Sequence, residues 1–125
     1  MTWLNSVGIG AIFGALGVGL GAFAAHGLKA RLSDYALGVF ETAVRYQMYH
    51  ALALIAVGLL ASRIESNLVR IASYSFIIGT IIFSGSLYTL ALTGIKWLGA
   101  ITPIGGLAFI VGWICFALAA FRVSP

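Results

Sequence analysis

The sequence predicts an all-α integral membrane four-helix bundle, and three observations carry that reading. Of the 125 residues, 62% are hydrophobic and only 8% charged, whereas a soluble domain carries roughly 25% charged residues. The mean hydropathy is +1.09, and a chain this short has too few polar side chains to cover the surface that folding leaves exposed. Four apolar stretches stand out, at about residues 3–25, 40–61, 71–93 and 103–121. Each approaches or exceeds the ~20 residues that cross hydrocarbon about 30 Å thick. A backbone in lipid must satisfy its own amides, so the stretches are expected to be helices. The connections are too short for another domain. Residues 1–125 are therefore expected to form one domain, with both termini on the same side.

The first stretch contains AFA at Ala22–Ala24, which looks like a secretory cleavage site. No Lys or Arg precedes Lys29 and the apolar run is too long for a signal segment, so it is expected to stay as a span. Gly10, Gly14, Gly17 and Gly21 follow offsets of four, three and four, which places them on one narrow stripe. A second row holds Gly8, Ala11, Ala15, Gly19 and Ala22. Small residues let membrane helices approach closely. Two such rows predict that the first helix packs against two neighbours, or uses one row to form a homo-oligomer.

The second helix has its start signal at Ser33-Asp34, an N-cap followed by an acid at the positive end of the dipole. Running from Asp34 to Ala61, it would be about 42 Å long, so its first turns lie in the interface or the helix tilts. Glu41, Arg45 and Tyr49 recur every four residues, and Thr42, Tyr46 and His50 run beside them. The six make one polar face. Glu41 precedes Arg45 by four, the favourable order for an ion pair, and His50 falls about 16 Å from the Ala61 end. Gln47 points elsewhere, toward another helix or a headgroup. Ionisable groups in a membrane are expensive and usually face a cavity or a partner.

The third helix offers partners in Thr80, Ser84 and Tyr88, spaced by four, with Ser86 nearby. Facing Arg45 and His50, they would complete a buried network. Gly94 closes this helix, and Thr102-Pro103 reads as an N-cap with proline at the first helical position of the fourth. Trp3 and Trp97 fall at opposite ends, as interface anchors do. Cys115 is the sole cysteine and is read as a small hydrophobe.

The seven Lys and Arg residues are scattered singly, with no basic patch to hold nucleic acid. Arg63, Arg70 and Arg122 on one side balance Lys29, Arg31 and Lys96 on the other, so the positive-inside rule sets no orientation. His26 follows the first helix and lies at a different depth from His50. With no C-x-x-C-H or H-E-x-x-H pattern, neither a metal nor a haem cofactor is expected.

GAFAAHGLK, FETAVRYQMYHALAL, FSGSLY, GAITPIGG and the Gly112-Trp113 pair resemble, in order and spacing, the small four-span YgdD-like family of bacterial membrane proteins. Small transmembrane proteins of animals are similar. Ala24 stands where that family usually has glycine. The resemblance implies four membrane helices in the bacterial cytoplasmic (inner) membrane and marks His26, Glu41, Arg45, Tyr46, Gln47, His50, Ser84 and Ser86. It implies no reaction. The leading expectation is a non-enzymatic bundle that binds a lipid, a quinone-like amphiphile or a partner protein. Arg45 would meet a headgroup or ring oxygen, and the tyrosines would form a flat wall. A dimeric proton-coupled transporter or exporter is the alternative, but the first helix lacks the lone buried acid such exporters share. An enzyme would need a nucleophile, and His50 with Ser84 is the only conceivable pair.

Overall fold

The computed structural model describes residues 2–122. Four helices follow in order: α1 (Trp3–Phe23), α2 (Asp34–Ala61), α3 (Asn67–Thr93) and α4 (Thr102–Arg122). A π-helical turn, Ala24–Leu28, extends α1, and a 3-10 segment, Lys96–Ala100, leads into α4. All four are long and apolar enough to cross a membrane.

Their ends have local causes. Thr2 accepts a hydrogen bond from the Asn5 amide at 3.3 Å, and Ser33 accepts from Ala36 at 3.1 Å. Ser66 accepts from Leu68 at 3.1 Å, and Arg70 Nη1 donates to Asn67 Oδ1 at 2.6 Å. This polar first turn carries α3 four residues ahead of the apolar stretch at residue 71. Gly94, with φ +73°, ends α3 in the left-handed conformation that glycine adopts without strain. Thr102 is not the cap expected of it. The 3-10 segment already delivers a helical chain, and the Thr102 hydroxyl turns back to the Leu98 carbonyl at 3.3 Å.

The chain doubles back at each connection. Gly58 faces Trp3, Gly10 faces Ala51 and Ile55, and Gly17 faces Met48 and Gln47, so α1 and α2 are antiparallel. At Gly10 a side-chain carbon would lie 2.8 Å from the Ala51 carbonyl oxygen. Gly21 meets Val44, but Gly14 has nothing within 4 Å. At 3.6 residues per turn Gly14 is rotated about 40° from Gly10 and about 60° from Gly17, enough to leave the seam. The second small row contacts no neighbour: Gly8 and Gly19 have nothing within 4 Å, and Ala11, Ala15 and Ala22 are exposed. Helix α1 thus packs on one neighbour, with a single Ser6 Oγ–Ser73 Oγ bond of 3.2 Å reaching α3.

The pair α3 and α4 closes just as tightly. A side-chain carbon on Gly105 would sit 2.5 Å from the Phe83 nitrogen, and one on Gly112 would sit 2.7 Å from the Phe76 ring. Between these pairs, α2 meets α3 through Phe40, Ala43 and Leu54 on one side and Ala72, Phe76 and Ala91 on the other, all buried. Helices α2 and α3 are the inner pair and α1 and α4 flank it. A second, smaller cluster of Ala24, Leu28, Phe40 and Ala91 lies at the end bearing the π-turn, with Leu32 and Leu37 against it. Helix α4 is about 31 Å long and matches the hydrocarbon, whereas α2, at about 42 Å, exceeds it.

Because Gly105 abuts Phe83 backbone, Gly105→Ala is expected to destabilise the fold by about 1–3 kcal/mol. Gly8→Ala and Gly19→Ala, which meet open space, should leave it unchanged or slightly firmer. Thermal unfolding in one detergent compares the three.

Candidate functional site

Helix α2 turns a different face inward from the one its charges mark. Glu41, Arg45 and Tyr49 are exposed, whereas Gln47 and His50 are 5% and 4% exposed. At 3.6 residues per turn Gln47 lies about 160° around the helix from Arg45. Among the described residues no Lys, Arg or His nitrogen lies within 4.0 Å of an Asp or Glu oxygen, so the expected Glu41–Arg45 ion pair does not form. The outward turn of these charges has its reason in the solvent. Taking a guanidinium inside costs several kcal/mol, by order of magnitude, while on the outer face its long stem reaches headgroups. A neutral amide is the cheaper group to bury, provided it is bonded.

Gln47 is bonded on both sides. Its Nε2 donates to the Phe13 carbonyl of α1 at 2.8 Å, and its Oε1 accepts from the Tyr88 hydroxyl of α3 at 2.7 Å. One side chain thereby ties three helices. The helix-3 hydroxyls therefore do not serve Arg45 and His50 as expected. Ser84 donates to the Ala43 carbonyl at 2.7 Å, and Ser86 pairs with Thr102 of α4 at 2.6 Å. Thr80 is 4% exposed and its hydroxyl finds no partner. His26 sits exposed in the π-turn, at the opposite end of α1 from Trp3.

His50 is held from two directions. Its Nδ1 lies 2.7 Å from the Tyr46 carbonyl, and its Nε2 lies 3.0 Å from Trp113 Nε1. A carbonyl only accepts and an indole N–H only donates, so the proton belongs on Nδ1 and the lone pair on Nε2. The ring stacks on Phe109 at 3.5 Å with 5° between the planes. Trp113 and Phe109 were not singled out as site residues from the sequence. Their signal was i, i+4 spacing on α4 and a tryptophan set in mid-helix, where an interface anchor has no use.

Beside His50 opens a groove of about 660 Å³, lined mainly by apolar surface. Tyr46, Tyr49 and His50 of α2 form one wall and Phe109, Ile110 and Trp113 of α4 the other, with Phe83 of α3 between them. The groove exists because α3 holds the α2 and α4 backbones apart, so only long side chains cross. It runs from Pro103, at the start of α4, to Trp113, about 15 Å deeper along the axis and close to mid-bilayer. Among the described residues no group of three or more His, Cys, Asp or Glu side chains gathers as a metal site would.

Four apolar spans, tied by buried hydrogen bonds and opening a lipid-level groove, define a small multi-pass membrane protein. The chain belongs to the family described as Protein of unknown function (DUF423), which matches residues 20–106. It is 50% identical over 116 residues to the UPF0382 membrane protein SAB0533 of Staphylococcus aureus, covering 93% of this chain and 94% of that one. It is 49% identical over 115 residues to the UPF0382 membrane protein YwdK of Bacillus subtilis, covering 91% and 94%. No solved structure matches.

Two experiments probe the interior. Gln47→Leu and Tyr88→Phe, combined in a double-mutant cycle, should show a coupling of about 0.6 kcal/mol, the mean for a membrane hydrogen bond. Thr80→Val removes a buried hydroxyl without a partner and should stabilise the protein by about 1 kcal/mol. Both are read from unfolding in mixed micelles; a destabilised Thr80→Val would reveal a bond at Oγ1.

Proposed function

We propose that this membrane protein binds an amphiphile in the groove between α2 and α4 and is not an enzyme. The carrying observation is the groove itself. Its volume of about 660 Å³ falls in the range of roughly 300–1,000 Å³ usual for ligand sites. Its walls are flat aromatic rings, and one end reaches the depth of the headgroups. Arg45 is exposed and sits one turn before Tyr49, which lines the groove, on the same stripe of α2, where a headgroup would meet it.

The other readings have less support. His50 and Ser84 do not make a nucleophilic pair, since Ser84 donates to Ala43 and both imidazole nitrogens are engaged. A proton-coupled exporter needs a buried acid, and Glu41 is exposed. The likeness to the YgdD-like group belongs to the same proposal, as do residence in a bacterial cytoplasmic membrane and termini on one side. Bacterial membrane relatives favour the former and three antiparallel contacts favour the latter.

Gly106 lines the groove, and a side-chain carbon there would meet the Phe83 ring only at an ordinary 3.9 Å. Gly106→Phe should therefore fill the groove and leave the fold intact. Native mass spectrometry with an absorption spectrum, on protein from a mild detergent, should find an amphiphile on the wild type and none on the variant. A bare wild type, or equal retention by Gly106→Phe, would overturn the proposal.

A further inference from the structure

We infer that the groove selects amphiphiles whose ring carries a free hydroxyl, and that His50 Nε2, the acceptor that Trp113 occupies in the structure, is the selecting element; this rests on the groove being a ligand site. The argument starts from the tautomer. The Tyr46 carbonyl holds the imidazole proton on Nδ1, which leaves Nε2 an acceptor only. His50 is 4% exposed, but Nε2 points toward Trp113, and both residues line the groove. Trp113 is 46% exposed, so its indole has room to shift toward lipid.

The bond between them is a donor facing an acceptor near mid-bilayer, where no water replaces a lost partner. A guest that separates the two must satisfy both. A hydroxyl does so, accepting from the indole N–H and donating to Nε2. An ether or carbonyl oxygen accepts from the indole and strands Nε2. A purely apolar ring strands both. Tyr46, Tyr49 and Trp113 line the groove beside this point with aromatic rings, the latter two well exposed, which favours a planar ring as the bearer of the hydroxyl.

The class of guest is thus a phenol or hydroquinone with an apolar tail, rather than its ether or quinone counterpart. No bond to carbon forms or breaks in this event; one hydrogen bond is exchanged for two.

The test uses the full chain in lipid nanodiscs, with empty nanodiscs correcting for partition into lipid. The probes are 4-nonylphenol and its methyl ether. The phenol should bind about five-fold more tightly than the ether, the value of one net hydrogen bond. His50→Phe keeps a ring on Phe109 but loses the acceptor, and the preference should fall to about one while both probes still bind. Trp113→Phe leaves Nε2 without its internal donor and should retain the preference. Equal affinities in the wild type, persistence of the preference in His50→Phe, or its loss in Trp113→Phe would overturn this inference and leave the groove standing as a site. Binding of neither probe would overturn both.

Discussion

Close approach of helix backbones is the constraint on which this fold depends. Lipid is as apolar as leucine and supplies no hydrophobic force between spans, so contact area and buried bonds must do the work. The chain meets that need differently in its outer and inner pairs. Glycines let α1 close on α2 and α4 close on α3, at Gly10, Gly17, Gly105 and Gly112. The inner pair is joined by buried aromatic rings and by bonds from Ser84 and Tyr88. Since α4 is locked onto α3, it does not close on α2. The groove is the space left by that choice.

Side-chain bonds follow the same logic. Ser6–Ser73, Gln47–Phe13, Gln47–Tyr88, Ser84–Ala43, Ser86–Thr102 and His50–Trp113 link every pair of helices except α1 with α4. Each is worth little alone, on the order of 0.6 kcal/mol. Together they fix rotation and register, which glycine stripes leave free to slide. The polar groups are therefore largely occupied, and Thr80 stands out because it is not.

The four helices were legible because hydropathy and length are properties of single segments. Caps at Ser33 and Gly94 were legible for the same reason. The inward face of α2 was not. Its charged row, Glu41 and Arg45, drew attention that in water would have been warranted, yet in lipid a charge does better on the outside with its head among the phosphates. Gln47, neutral and able to donate and accept, was the residue to bury. Gly14 left its stripe through a rotation that a four-three-four spacing half conceals. The Trp113–His50 contact joins residues 63 positions apart, and no local pattern encodes a meeting across a third helix. Residues 20–106 place the chain in its family, and the family's description gives no activity; geometry alone carries the functional reading.

The small cluster of Ala24, Leu28, Phe40 and Ala91, with Leu32 and Leu37 against it, lies where the π-turn meets the start of α2. Leu20, Val44 and Tyr88 pack on it from the spans, while Leu28 and Leu32 flank the exposed Lys29, Ala30 and Arg31, so that side is held by the hydrophobic effect in its ordinary aqueous form. The spans below it are held by packing and buried bonds. These two kinds of cohesion respond differently to cold, because apolar burial from water weakens on cooling while contacts within lipid do not share that dependence. The end that carries His26 and Lys29 is therefore the part of the molecule whose cohesion depends on temperature as the core of a soluble protein does.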